Sequence, residues 1–396
     1  MLPNILEIIT VSLIGLKNLR FRVKSSFVAV VGFAGVVAVF VAVLALQRGF
    51  DAVTKTTGSD DVAIVVHTGA TTELNSVLTY DDIAKINNAP GIKKVNDAPL
   101  VSAEMYVVVN VPKRGRLEDA NVPFRGVDAR SFEIRENVHI TQGRALKPGL
   151  NELIVGKKAS SIFQNLEVGD EVHWGASDWK VVGIFEANGS MLESEIWGDV
   201  KVLQTAYNRG NTYQAVYAKL DSPQSLDEFS KYLKSDGSLL VDVKRESDFY
   251  RSQTEFQSKF IFTVGTLIAA LMGIGAIFGA VNTMYSTVSS RAKEIAVLRT
   301  IGFSRLSVYL SVISEGLLLG LIGGLFGALI AYVAVNGYQI STMSFESFSQ
   351  VVFEFKVTLP LLVTGIQFAL VMGLIGGLLP AIRATRVSLA NSLRDL

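Results

Sequence analysis

Four long stretches without a charged side chain divide this chain, and their spacing is uneven. The first runs from Phe27 to Leu46. The other three crowd into the last third: Phe260 to Ser290, Gly316 to Ser344 and Val357 to Ile382. A bilayer core of about 30 Å is crossed by ~20 apolar residues in a helix, and each stretch reaches that length. Between the first and second lies a long segment of ordinary mixed composition. The pattern predicts four membrane spans with one large domain threaded between spans one and two.

Composition agrees. The chain has 396 residues, of which 49% are hydrophobic, and its mean hydropathy is +0.37. That is too apolar for an average soluble protein and too mixed for a pure helical bundle. A net charge of +1 supplies no basic field for nucleic acid, so no nucleic-acid partner is expected. Cysteine is absent, so the large domain has no disulfides. His67, His139 and His173 are scattered and make no metal cluster. The first apolar stretch lies behind 26 residues and no small-residue cleavage site follows it, so it reads as a retained span.

Charge sets the expected orientation. Lys17, Arg20, Arg22 and Lys24 precede the first span. Arg291, Lys293, Arg299 and Arg305 fill the loop between spans two and three, and Arg383, Arg386 and Arg394 follow span four. The loop between spans three and four has Glu346, Glu354 and only Lys356. Lysine and arginine collect on the cytoplasmic side. Both termini and the 291–305 loop are therefore expected in the cytoplasm, and the large domain outside it.

Within the chain, Ile5, Ile8, Ile9, Leu13, Leu16 and Leu19 recur at helical spacing; such a helix lies in the membrane interface or extends span one through a bend. The large domain opens on a strand at 61–66. A helix follows, capped by Thr79 with Asp81 and Asp82 in its first turn, and Pro90-Gly91 stops it. Lys94–Asn96 and Ala103–Val109 read as strands. From Pro112 the texture turns to short strands at 123–127, 152–155, 171–174 and 180–185, with a hairpin over Gly175–Asp178. A second strand–helix–strand covers 213–243 and pairs with the first, with the β part inserted between them. Residues 246–290 read as one long helix.

No catalytic constellation emerges. The phosphate-binding Gly-x-x-x-x-Gly-Lys-Ser/Thr loop, the Gly-x-Ser-x-Gly elbow and His-Glu-x-x-His are absent, so the chain is read as non-catalytic, without a cofactor or metal of its own. The sharpest feature is the loop Ser290-Arg-Ala-Lys-Glu-Ile-Ala-Val-Leu-Arg-Thr-Ile-Gly-Phe-Ser-Arg305. Ile295, Leu298 and Ile301 fall on one helical face beside Arg291, Glu294 and Arg299, and Gly302 ends the helix as a left-handed cap. A short amphipathic helix pinned between two spans suits docking into a groove on a soluble partner; the alternative is an ordinary basic loop. Glu315, near the start of span three, is expected to reach headgroup water or Arg305 rather than relay protons. Gly275, Gly279, Gly320, Gly324 and Gly327, with Gly323, Gly373, Gly376 and Gly377, are expected to let helices pack closely.

These residues resemble the FtsX/MacB-type ABC transporter permeases, the mechanotransmission (type VII) family. Asn282-Thr-Met with Ser290 to Gly302 resembles the family signature. Glu315-Gly-Leu-Leu-Leu-Gly-Leu-Ile-Gly-Gly324 is similar to its third span, and Pro380-Ala-Ile-Arg-Ala-Thr-Arg386 with Ser392-Leu-Arg394 to its fourth-span ending. Arg125-Gly-Val-Asp-Ala-Arg-Ser-Phe132, Gln142-Gly-Arg144 and Val168-Gly-Asp170 leading to Val181-Val-Gly-Ile-Phe185 resemble the MacB-like periplasmic core.

The resemblance implies an α-helical membrane protein with four spans and a large α+β extracytoplasmic domain inserted between spans one and two. Its segments are an N-terminal helix at 1–26, span one at 27–50 and the outer domain at 51–250. That domain has a porter-like part at 59–111 and 211–245 and a sabre-like part at 112–210. Then come stalk and span two at 251–290, a coupling helix at 291–305, span three at 306–340 and an outer loop at 341–356. Span four at 357–382 and a tail at 383–396 complete the chain. The resemblance also implies the split form, which lacks a fused ATPase. Two copies of a cytoplasmic ABC ATPase would carry ATP and Mg, and a second copy of this chain would pair with it in the bacterial inner membrane. A periplasmic adaptor and an outer-membrane protein are further implied partners. Arg291, Glu294, Ile295, Leu298, Arg299, Gly302 and Phe303 would form the ATPase contact. Export or extrusion is the expected function. The alternatives are lipoprotein or lipid release, which calls for an apolar opening between spans one and two, FtsX-like activation of an outside enzyme, and a membrane-anchored binding module without an ATPase.

Overall fold

The structure is a computed structural model and describes residues 7, 11, 13, 23–115, 118–344 and 346–386. The expected amphipathic helix and the tail beyond Arg386 therefore lie largely outside the described residues. The chain divides into two compact units. One is Met1–Arg48, Phe260–Tyr338 and Phe355–Leu396; the other is Gly49–Lys259 and Gln339–Glu354.

The first span is helix α1 (Val23–Lys55). Strand β1 (Val62–His67) opens the sheet unit. Helix α2 (Tyr80–Asn87) starts as expected on Thr79, whose hydroxyl accepts from the Asp82 amide while the Asp82 carboxylate accepts from the Thr79 amide at 2.8 Å. This reciprocal cap satisfies two donors that the first helical turn leaves open. Gly91, at φ +81°, turns the chain back after it. Strands β2 (Lys94–Val95) and β3 (Ala98–Pro99) make a small hairpin before β4 (Val101–Pro112) and β5 (Asp119–Val127). Then come α3 (Ala129–Ile134), β6 (His139–Gly143), β7 (Glu152–Gly156), α4 (Lys157–Ile162), β8 (Glu171–Trp174) and β9 (Ser177–Glu186). Strand β10 (Ile196–Asp199), α5 (Val200–Ala206), β11 (Ala215–Lys219), α6 (Leu226–Ser235) and β12 (Val241–Arg245) complete this part.

The strands form one path in the order β12-β1-β11-β4-β5-β10-β7-β9-β6, with β8 on β9. The two expected lobes are thus joined rather than merely adjacent. Strand β4 serves both: Val101–Glu104 pair with β11, and Met105–Pro112 pair with β5. The main core lies over this junction, with Phe124, Trp179, Phe163 and Phe229 fully enclosed.

Helix α7 (Glu246–Ser290) is unbroken over 45 residues, as the sequence suggested. Helix α8 (Ala292–Thr300) and helix α9 (Arg305–Val335) follow. The segment at 341–356, expected as a plain loop, is instead mostly a hairpin of β13 (Gln339–Met343) and β14 (Gln350–Glu354). It belongs to the sheet unit, where Val352 is buried in the main core and donates its amide to Ser194 Oγ at 2.9 Å. Its serine-rich, weakly alternating sequence hid it, and the third helix accordingly ends earlier than the apolar stretch does. Helix α10 (Leu359–Thr385) is the last described element.

Among the described residues, four helices are long and apolar enough to cross a membrane. Within the helical unit α9 and α10 pack through small residues. A Cβ added to Gly320 would lie 2.6 Å from the Ala369 carbonyl, and one added to Gly316 would lie 2.7 Å from the Gly373 carbonyl. Gly323 and Gly327 meet Phe33, Ala34 and Val37 of α1 in the same way. In lipid, where apolar burial between helices is worth little, such backbone approach is what holds helices together.

Candidate functional site

Two features carry function-bearing chemistry: the α8 loop in the helical unit and an ionic cluster in the sheet unit. Arg291 stands between α7 and α8, at the N-cap of α8. Its guanidinium is buried, with Nε 3.1 Å from Glu294 and Nη1 3.3 Å from Glu315. Glu315 therefore pairs with Arg291, not with Arg305 as the sequence suggested; nearly three turns inside α9, it faces the α8 loop. Ser304 caps α9 by accepting from the Ser307 amide at 3.1 Å. The Glu7 carboxylate accepts from the Ser304 amide at 2.6 Å and the Ser307 hydroxyl at 2.9 Å. A negative charge is favoured at that helix end.

The sequence-derived contact set splits. Ile295 is 5% exposed and packs inward against Met284, Val288, Val308, Val312 and Ala384. Arg299 turns toward the end of α10, donating to the Thr385 carbonyl at 3.1 Å. Leu298 and Phe303 are half-buried. The outward face instead presents Lys293, Glu294, Val297, Thr300 and Ile301, with Ile301 71% exposed. The face expected from Ile295, Leu298 and Ile301 is thus rotated, because the small Ala296 and Ile295 together fill the seam under α8. Gly302 behaves as expected: at φ +113° it donates to Arg299 O at 3.3 Å while Phe303 donates to Leu298 O at 3.1 Å. This pair of bonds closes the helix, and the backbone angle favours glycine.

The packing glycines divide as well. Gly320, Gly324 and Gly327 lie against neighbouring helices, whereas a Cβ on Gly275 or Gly279 meets nothing within 4 Å among the described residues. Both are exposed on α7, and no helix among the described residues packs on them.

The ionic cluster was not read from the sequence. Arg125 on β5 is fully buried. Its guanidinium donates to Glu195 (2.7 and 2.8 Å), Glu73 (2.5 and 3.1 Å) and Glu104 (3.0 Å), and to the hydroxyls of Tyr217 and Tyr250 (3.2 and 3.3 Å). Arg135, at the end of α3, clasps Glu104 through both terminal nitrogens at 2.5 and 3.0 Å. It stacks 4.1 Å over the Tyr217 ring, and its Nε lies 3.6 Å from Glu246. Trp197 Nε1 donates to Glu195 at 2.7 Å. Burial opposes every one of these charges. Even so, Arg135 and Arg125 hold the Glu104 carboxyl below the usual carboxylate range, and Glu195 and Glu73 keep the Arg125 guanidinium firmly charged. The signal lay in plain view: Arg125 opens one of the motifs quoted above, but its acidic partners come from far-off segments.

The family described as MacB-like periplasmic core domain matches residues 26–236, more than half of the chain. The family described as FtsX-like permease C-terminal matches residues 266–389. The chain belongs to the MacB/FtsX-type ABC transporter permeases. It is 27% identical over 241 residues to the macrolide export ATP-binding/permease protein MacB of Hyphomonas neptunium, covering 58% of this chain and 36% of that protein. It is 22% identical to the uncharacterized ABC transporter permease YknZ of Bacillus subtilis, covering 81% and 79%. To the lipoprotein-releasing system transmembrane protein LolC of Xylella fastidiosa it is 23% identical, covering 96% and 98%. The chain thus spans only about a third of MacB but nearly all of LolC.

An apolar groove of about 590 Å³ lies between α1 and α9, lined by Phe27, Val30, Val31, Leu319, Ile322 and Phe326. The lipoprotein-release alternative calls for an opening between spans one and two; this groove adjoins spans one and three.

Proposed function

We propose that this permease works with two copies of a separate cytoplasmic ABC ATPase, which carry ATP and Mg, and that the outward face of α8 is where they dock. The observation that carries this reading is the division of α8. Arg291, Ile295 and Arg299 anchor it inward, while Glu294, Val297 and Ile301 stand outward. A loop serving only to connect two spans has no need of three inward anchors. An exposed apolar pair rimmed by charge is the pattern of a helix that seats in a groove.

In this reading ATP binding moves the ATPases, α8 is pushed, and α7 carries the displacement to the sheet unit. At 1.5 Å per residue the 45 residues of α7 extend about 70 Å, and a continuous helix transmits displacement where a flexible linker does not. The sheet unit works on the outer side of the inner membrane, both termini lie in the cytoplasm, and export or extrusion is the outcome, with a periplasmic adaptor and outer-membrane protein as further partners. A second reading is lipoprotein or lipid release, favoured by the near full-length similarity to LolC.

The test is purification of the permease with its ATPase after Val297→Asp and Ile301→Asp substitution. The reading expects both variants to insert and fold but to lose at least tenfold of the bound ATPase. Full retention in the double variant overturns the docking assignment.

A further inference from the structure

The ionic cluster is unbalanced. Two arginines, Arg125 and Arg135, share one buried space with four carboxyls: Glu73, Glu104, Glu195 and Glu246. Three of these accept hydrogen bonds from a guanidinium. Glu246 does not: its Oε1 is buried, 3.6 Å from Arg135 Nε, and neither atom has a hydrogen-bond partner among the described residues. Its Oε2 accepts the Ser59 amide at 3.0 Å. Glu246 is the first residue of α7 and is 2% exposed. It lies in the sheet unit, well before the apolar stretch that begins at Phe260.

We propose that Glu246 is a proton-binding site at the root of α7, and that loss of its proton loosens the seat of that helix on the two-arginine cluster. The groups facing it come from every neighbouring element. Arg135 stands nearest, from the end of α3. Glu104 on β4 and Arg125 on β5 lie behind it, and Tyr250 sits one turn further along α7. A polar cavity of about 370 Å³ opens on its free side, lined by Arg135, Glu246, Asp61, Glu136 and Lys219. There Lys219 is committed to Asp61 at 3.0 Å and Glu136 at 3.6 Å, so it does not offer Glu246 a counter-ion. Arg135 is likewise committed to Glu104. A second buried anion beside Glu104 would share one guanidinium that is already clasped, which low-dielectric surroundings make costly. The cavity provides the path by which water removes the proton. In keeping with this geometry, burial pushes the Glu246 carboxyl above its ordinary range more than Arg135 pulls it back.

The sign follows from linkage. A carboxyl raised in the folded state stabilises the fold while it stays protonated; that contribution is lost as pH rises from the ordinary glutamate value through the raised one. The site needs no ATPase and stands apart from the docking proposal, so either survives failure of the other.

The test uses the full chain in detergent. Its 3 tryptophans, Trp174, Trp179 and Trp197, all lie in the sheet unit, and Trp197 is 5.5 Å from Arg135, so tryptophan emission reads the cluster directly. His173 adjoins Trp174 and histidines change charge in the same window, so all measurements are made in a His173→Gln background. Emission followed from pH 5 to 9 is expected to show a transition that vanishes in Glu246→Gln and persists in the cavity-rim control Glu136→Gln. Infrared difference spectra taken between the low-pH and high-pH plateaus of that transition are expected to show a neutral carboxylic acid band that Glu246→Gln removes. A transition unchanged in Glu246→Gln, no transition in the parent, or the absence of that band overturns the proposal.

Discussion

Arg125 gathers four distant segments on one buried side chain. It ties the 3₁₀ turn at Glu73, strand β4 through Glu104, the approach to β10 through Glu195 and the start of α7 through Tyr250. Removing one partner of a buried charge network costs about 3–5 kcal/mol, because the remaining charges stay buried and uncompensated. Arg125→Met is therefore expected to destabilise the sheet unit by that amount, measured by denaturant unfolding followed through tryptophan emission. Glu104 adds a pH dependence of opposite sign to that of Glu246. Its carboxyl is held low by Arg135 and Arg125 against its burial, so its contribution is present above the ordinary value of about 4.3 and is lost as pH falls through the lowered one. The stability gap between the parent and Glu104→Gln should accordingly close below about pH 4. Sequence alone displayed the arginine and hid its partners. Glu73, Glu104 and Glu195 have no common spacing; only folding assembles them.

Elements were legible where a local signal was strong. Thr79 and Asp82 announced α2, the uncharged stretches announced the spans, and Gly302 announced the end of α8. The short helices α3, α4 and α5 were not legible, since six or seven residues barely complete two turns and leave no periodicity to read. The rotated face of α8 escaped for a different reason. Three apolar residues spaced by three define a stripe, but which side of it meets the spans depends on the small Ala296 fitting the seam. This yields a paired expectation. Ile295→Asp buries a charge against Met284 and Val308 and should lower the yield of folded permease; Ile301→Asp should leave folding intact and weaken ATPase binding. Size-exclusion profiles and co-purification separate the two. Gly302→Val forces a β-branched residue into a left-handed backbone and should cost about 1–3 kcal/mol, seen as a lowered thermal midpoint of the full chain.

At the scale of the molecule, the four long apolar helices were readable from hydropathy, because ~20 consecutive apolar residues make a local signal. Continuity of the sheet through β4 was not, because a strand shared between two pairings looks like any other strand. Nor was the membership of the β13–β14 hairpin in the sheet unit. The open face of α7 at Gly275 and Gly279 fits pairing with a second copy, as small residues four apart allow close helix approach. Gly279→Leu should then shift the permease from dimer toward monomer in detergent, read as a halved protein mass by light scattering.

The account rests on α8 being the point at which an ATPase pushes. Because the chain lacks cysteine, a single cysteine placed there is a clean probe. Ile301→Cys and Ile295→Cys, each introduced alone, are to be treated in inner-membrane vesicles with a thiol-to-amine cross-linker of short reach. The account predicts a permease–ATPase adduct from position 301 and none from 295; an adduct from 295 alone, or none from 301 while the ATPase stays bound, would contradict it.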